Sequence, residues 1–77
     1  MDDFDIIWQK ILIDLKSNLS EMDFQMLINP LGIKSFNNDI LVLVVNNRYW
    51  KKMITERCLN EIHSALKKYT KNPEIEL

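Results

Sequence analysis

The sequence is poor in cysteine, glycine and histidine, and these scarcities exclude several kinds of site. Cys58 is the only cysteine in 77 residues, so neither an intrachain disulfide nor a cysteine-based metal cluster can form. Gly32 is the only glycine, which excludes a glycine-rich phosphate loop. The sequence has no HExxH or CxxC motif, and His63 is its only histidine. We therefore expect no catalytic residue, no metal and no cofactor in this chain.

Long hydrophobic runs are also missing. The longest apolar run has six residues, 40–45, whereas a helix needs roughly 18 to 20 to cross a bilayer. The N-terminus, which reads MDDFD, is acidic where a signal peptide would be basic. We therefore expect a cytoplasmic protein without a membrane segment. A chain of this size buries only about 60% of its unfolded surface, so residues 1–77 are expected to form one domain with one small core.

No charge of one sign dominates, since the net charge is −1. That balance gives no reason to assign a nucleic acid as the main partner. The charges are nevertheless uneven: residues 1–30 contain six acidic and two basic side chains, and residues 31–77 contain five acidic and eight basic ones. This asymmetry is typical either of solvated helix faces or of a binding surface of defined sign.

The first helix is predicted over residues 4–19. At 100° per residue, one broad face collects the apolar side chains Phe4, Ile7, Trp8, Ile11, Leu12, Leu15 and Leu19. Ile6 and Ile13 lie nearly opposite that face and would be exposed. They are either ordinary surface isoleucines or a contact for self-association.

The second helix has a clear start signal. Ser20 is the predicted N-cap, and the Asp23 carboxylate three residues later can reach back to the cap amide. Pro30 disfavours α geometry at the residue before it, so this helix should end near Asn29 after two to three turns.

Two strands and a long helix are predicted next. Residues 33–36 and 40–45 should form an antiparallel hairpin around the turn residues 37–39. Asn47 is the predicted N-cap of a third helix that runs to residue 70 or 71. Its core face is expected to contain Ile54, Cys58, Ile62, Ala65, Leu66 and Tyr69. Residues 74–77 can add a third strand, which gives an α+β domain of order ααββαβ with helices packed on a three-stranded sheet.

Several short segments, taken in order along the chain, resemble a known family. They are Trp8-Gln9 at the start of helix one, Ser20 and Phe24 around the second cap, Pro30-Leu31 after helix two, and Asn47-Arg48-Tyr49 after the long strand. Together they are similar to the N-terminal domain of the bacterial replication initiator DnaA over nearly the whole chain.

The resemblance implies a KH-like fold and a hub without enzymatic activity. Such a domain would bind itself, the replicative helicase and proteins that regulate initiation. The ATPase, with its ATP, and the duplex-DNA-binding domain would lie further along the full-length protein, so this chain would be a fragment. Leu27 stands where many members have tryptophan, and Trp50 replaces a smaller residue.

A partner-binding surface is predicted where helix two meets the start of helix three. Tyr49 plots roughly 170° from the centre of the core face and should be exposed, whereas Trp50 plots at its edge. Partly packed aromatic side chains are typical interface anchors, although a tyrosine that only covers the end of the sheet is the alternative. The surface is predicted to comprise Asp23, Met26, Leu27, Asn47, Tyr49 and Trp50.

Two further surfaces are predicted. A weak dimer is expected through helix one, with Trp8 and Leu12 at the edge of the core and Ile6 and Ile13 opposite. The alternative main function is weak binding of single-stranded nucleic acid by a KH-like module, with Arg48, Lys51 and Lys52 beside Tyr49. Against it, the chain lacks the GxxG loop with which KH modules clamp a nucleic-acid backbone.

Overall fold

The computed structural model of the protein describes residues 3–77. In chain order their elements are α1 (Asp3–Asn18), α2 (Glu21–Asp23), a π-helical segment (Phe24–Ile28), β1 (Gly32–Asn37), β2 (Ile40–Val44), α3 (Arg48–Arg57), α4 (Leu59–Leu66) and β3 (Glu74–Glu76). We refer to α2 and the π-helical segment together as the second helix. The predicted α+β order ααββαβ is confirmed, with α3 and α4 together in the place of the third helix. No helix within residues 3–77 combines the length and the hydropathy needed to cross a membrane.

Helix α1 packs its predicted apolar face on the core. Phe4, Trp8, Ile11 and Leu15 are buried, and the Phe4 ring stacks on Phe36 of β1 with 4.5 Å between ring centroids. The outward positions of Ile6 and Ile13 are confirmed, since these side chains are 50% and 67% exposed.

The second helix begins and ends as predicted but changes geometry in between. Ser20 Oγ accepts a hydrogen bond from the Asp23 amide at 3.1 Å, which confirms the N-cap. The Asn29 amide then donates to the Phe24 carbonyl at 3.0 Å, a bond five residues apart that defines the π-helical turn. In this wider turn the consecutive residues Leu27 and Ile28 are both buried.

The sheet is built from the predicted hairpin and the C-terminal strand. Asn37 pairs with Ile40, so Asn38 and Asp39 form a two-residue turn with φ of 52° and 66°. Both angles are positive, a conformation that asparagine and aspartate tolerate better than most residues. Strand β3 pairs in parallel with β2, which places β2 in the centre of the sheet.

The prediction of one uninterrupted third helix is wrong. Cys58, with φ −123° and ψ −20°, separates α3 from α4, and α4 ends at Leu66. Ile54, Cys58, Ile62 and Leu66 are spaced by four residues, and each such step rotates about 40° on a straight helix of 3.6 residues per turn. With the break at Cys58, all four side chains remain no more than 2% exposed. Tyr69 was also misplaced, because it lies in the turn beyond α4 and is 38% exposed.

Candidate functional site

The residues predicted to bind a partner converge on a shallow concavity between the second helix and α3. We call this concavity the helix groove. Its lining consists of Met22, Asp23, Met26 and Leu27 from the second helix and Tyr49, Trp50, Met53 and Arg57 from α3. Five of the six predicted residues therefore lie together, although they come from two segments more than 20 residues apart.

The wall formed by α3 is oriented by the cap of that helix. Asn47 Oδ1 accepts a hydrogen bond from the Trp50 amide at 3.0 Å, so the side chain of Asn47 serves the helix start and is not part of the groove lining. The exposure predicted for Tyr49 is confirmed at 61%. Its ring meets the half-buried Trp50 ring edge to face, with centroids 5.3 Å apart and an interplanar angle of 73°.

The wall formed by the second helix is rich in methionine. Met22 and Met26 are 69% and 51% exposed. Leu27 is only 3% exposed, so it forms the floor of the groove and belongs chiefly to the core. Leu27 and Ile28 follow Phe24 by three and four residues, which is the spacing of one helix face, so the inward position of Leu27 was predictable from the sequence.

A salt bridge joins the two walls. Arg57 Nη1 donates to Asp23 Oδ1 at 3.0 Å, with side-chain exposures of 53% and 22%. The sequence predicts that the Asp23 carboxylate accepts a hydrogen bond from the backbone amide of Ser20, the N-cap residue. In the structure its partner is Arg57 instead. An exposed ion pair of this kind contributes only about 0 to 1 kcal/mol to stability. Its main effect on the site is to place one charge of each sign at the rim of an otherwise apolar groove.

Three lining residues were missed by the sequence reasoning: Met22, Met53 and Arg57. Met53 and Arg57 follow Tyr49 by four and eight residues, so the spacing of one helix face would have found them. Nothing in the sequence pairs Arg57 with Asp23, which lies 34 positions away.

The apolar surface continues past Trp50 towards the end of β2. A second depression shares Met26, Leu27 and Trp50 with the helix groove. Its remaining lining is Pro30, Leu31, Val45, Asn46 and Ile54. The two depressions make one surface to which the second helix, the segment between β2 and α3, and α3 itself all contribute.

The predicted basic residues stand apart from this lining. Arg48, Lys51 and Lys52 are exposed on the first turns of α3, and none of them lines either depression. Docking into the groove and contact with phosphates would therefore use different side chains of the same helix.

The residues predicted for self-association are divided between the core and the surface. Trp8 is 9% exposed and Leu12 is partly buried, and both pack on the core. A shallow depression on α1 is lined by Asp5, Ile6, Trp8, Gln9, Lys10 and Ile13. It brings Ile6, Ile13 and the accessible edge of Trp8 together but does not include Leu12.

Cys58 is close to the groove in sequence but not accessible from it. Its side chain is fully buried. Burial raises the pKa of the Cys58 thiol to about 11, and the negative charge of Asp23 acts in the same direction. At neutral pH the group is a protonated, apolar core side chain.

Comparison with known protein families finds a match over most of the chain. The family model described as the DnaA N-terminal domain matches residues 5–68 of the chain. The matched span includes nearly all of α1, both walls of the helix groove and all of α4, and it ends before β3.

Proposed function

Because the chain belongs to the DnaA N-terminal domain family, and so is a domain of a replication initiator, we propose that it docks other replication proteins through the helix groove. The partners are the replicative helicase and proteins that regulate initiation of chromosome replication at the origin. The domain has no catalytic task in this proposal. ATP and duplex DNA are bound by other parts of the full-length protein.

The arrangement of Tyr49 and Trp50 carries the proposal. The Tyr49 ring is 61% exposed, yet it is held edge to face against Trp50. An aromatic ring that is already oriented loses little conformational freedom when a partner's pocket closes on it. Tyrosine and tryptophan are also the residue types that most often dominate binding energy at interfaces.

The remainder of the groove supports the same function. Met22 and Met26 present flexible apolar side chains that adapt to different partner shapes. Asp23 and Arg57 offer a polar rim of both signs. An apolar centre with a charged rim is the usual composition of a docking surface.

Self-association is proposed for a separate face. The depression on α1 with Ile6 and Ile13 shares no residue with the helix groove. A weak dimer through α1 would therefore leave the groove free, so one initiator could contact another copy and a helicase together.

The proposal is tested by removing the tyrosine ring. In Tyr49→Ala the loss of a binding anchor should cost about 2 kcal/mol or more of binding free energy, roughly thirtyfold in affinity. Removal of an exposed side chain should change stability by about 0.5 kcal/mol or less. Thermal unfolding and capture of the purified replicative helicase from the same organism measure the two quantities separately.

Tyr69→Ala is the matched control, since Tyr69 is 38% exposed and lies outside the groove. It should bind the helicase as the unmodified chain does. A folded Tyr49→Ala variant that still binds the helicase and regulators would place the docking site elsewhere. A large fall in its melting temperature would make Tyr49 a structural residue.

Binding of single-stranded DNA is the second candidate. It is favoured by the three exposed basic residues Arg48, Lys51 and Lys52, which flank an exposed aromatic ring on α3. Phosphate contacts of this kind carry little sequence information. We assign them a supporting role, weaker than docking of protein partners.

A further inference from the structure

Sulfur is distributed unevenly over the molecule. Residues 3–77 contain four sulfur atoms, in Met22, Met26, Met53 and Cys58. All three thioethers among these residues line the helix groove. The thiol of Cys58 is fully buried and protonated at neutral pH.

The three methionines differ in how far an oxidant can reach them. Met22 and Met26 lie four residues apart on the second helix and are 69% and 51% exposed. Met53, on the facing wall, is half-buried and packs against the core. Peroxide dissolved in water therefore reaches Met22 and Met26 more readily than Met53 and Cys58.

We propose that Met22 and Met26 form an oxidation-sensitive modification site that controls docking in the helix groove. The inference rests on the function proposed above. Hydrogen peroxide transfers one oxygen atom to the thioether sulfur, the peroxide O–O bond breaks, and water leaves. The sulfur loses two electrons, which the peroxide gains, and methionine sulfoxide reductases reverse the reaction with electrons from thiols.

Oxidation changes the groove without dismantling the fold. A sulfoxide is a strong hydrogen-bond acceptor, and burying it against an apolar partner without a donor is unfavourable. Met22 and Met26 do not belong to the buried core, so the domain remains folded when they are modified. The same change at half-buried Met53 would disturb packing and loosen the domain.

The test is graded oxidation of the whole chain with hydrogen peroxide. Peptide mass analysis should show one added oxygen at Met22 and at Met26 before Met53. At that stage thermal unfolding should be unchanged, and affinity for the purified replicative helicase should fall about tenfold, within the range for loss of an interface contact. Treatment with methionine sulfoxide reductases and dithiothreitol should restore the affinity.

Two variants separate the sites, and each is compared with its own untreated sample. Met22→Leu with Met26→Leu, in which side-chain volume is nearly kept, should show equal affinity before and after mild peroxide. Met53→Leu should remain sensitive. Equal helicase binding by the oxidised and reduced chains, or oxidation of Met53 first, would overturn the inference while the proposed function stood. A reduced chain that binds no helicase would remove the proposed function and, with it, this inference.

Discussion

Single side chains cap the starts of the second helix and α3. Ser20 and Asn47 each accept a hydrogen bond from the amide three residues ahead, at 3.1 Å and 3.0 Å. Such bonds satisfy amides that have no partner within the helix. At Asn47 the cap also fixes the first turn of α3, and with it the two aromatic residues of the groove.

The Asn47 cap gives a prediction about stability. Asn47→Ala should destabilise the domain by about 1 kcal/mol, because the Trp50 amide loses its acceptor. For a domain of this size that corresponds to a fall in melting temperature of roughly 4 to 8 °C. The neighbouring Asn46→Ala, which removes no cap, should unfold within a degree or two of the unmodified chain. An unchanged melting curve for Asn47→Ala would show that the cap is dispensable.

Cys58 gives a prediction about reactivity. Because burial raises the pKa of its thiol to about 11, the folded chain should react with a thiol reagent at pH 8 on the order of a hundredfold more slowly than the chain in urea. Above pH 9 the unfolded chain releases a proton that the folded chain keeps. The contribution of the Cys58 thiol to the free energy of unfolding is therefore present below pH 9 and is lost as pH rises towards 11. Fast labelling of the native chain would show that the core opens at Cys58.

At the scale of elements, two departures from straight α-helical geometry shape the molecule. The π-helical turn lies at the groove: within Phe24–Ile28, Leu27 and Ile28 are buried and Met26 is 51% exposed. The break at Cys58 keeps the apolar stripe of α3 and α4 against the core over its whole length. The π-helical turn lies beside the groove surface, and the break at Cys58 lies in the core.

Helix α1 gives a prediction about self-association. In Ile6→Lys with Ile13→Lys, charges replace two side chains that are 50% and 67% exposed, so the fold should persist while a weak dimer is lost. Sedimentation at high protein concentration measures the loss. Trp8→Ala is less informative, because Trp8 is buried and truncation of a buried tryptophan costs about 3 to 5 kcal/mol.

Ser17→Lys is the control for α1, since it adds a charge to the same helix outside the depression. This variant should sediment as the unmodified chain does. A chain that is strictly monomeric at every concentration would remove the proposal of a dimer.

At the scale of the whole molecule, distant segments close the domain. Lys68 Nζ, in the turn after α4, donates to Asp14 Oδ2 of α1 at 2.9 Å, and this hydrogen bond raises the pKa of Lys68. The Glu74 amide donates to the Asp39 carbonyl at 2.8 Å, and the Thr70 hydroxyl donates a hydrogen bond to the Asp39 carboxylate. The hairpin turn is thereby attached to the last strand, which holds β3 beside β2.

The distribution of charge gives a prediction about nucleic acid. If Arg48, Lys51 and Lys52 make the phosphate contacts, the slope of log affinity against log salt should be about −2 for single-stranded DNA. Affinity should then fall roughly fifteenfold between 50 and 200 mM salt. Lys51→Ala with Lys52→Ala should weaken binding, whereas Lys67→Ala with Lys71→Ala, beyond α4, should change it less. Tight, salt-resistant and sequence-selective binding would make nucleic acid the main partner.

Features that depend on neighbours along the chain could be predicted from the sequence. The caps at Ser20 and Asn47, a turn within residues 37–39, the apolar face of α1 and the exposure of Tyr49 were all predictable. Each depends on hydrogen bonds or periodicity within a few residues, which are visible in the sequence without knowledge of distant contacts. The order of elements follows from the same signals.

Contacts between elements that are distant in sequence became visible only in the folded structure. Asp23 meets Arg57 across 34 positions, and Met22 and Met53 face one groove from different helices. The third helix breaks at Cys58. These outcomes depend on packing, because the position of a side chain depends on the neighbours that bury it. Local periodicity contains no information about neighbours that are distant in sequence, so the composition of the groove emerges only when the second helix and α3 lie side by side.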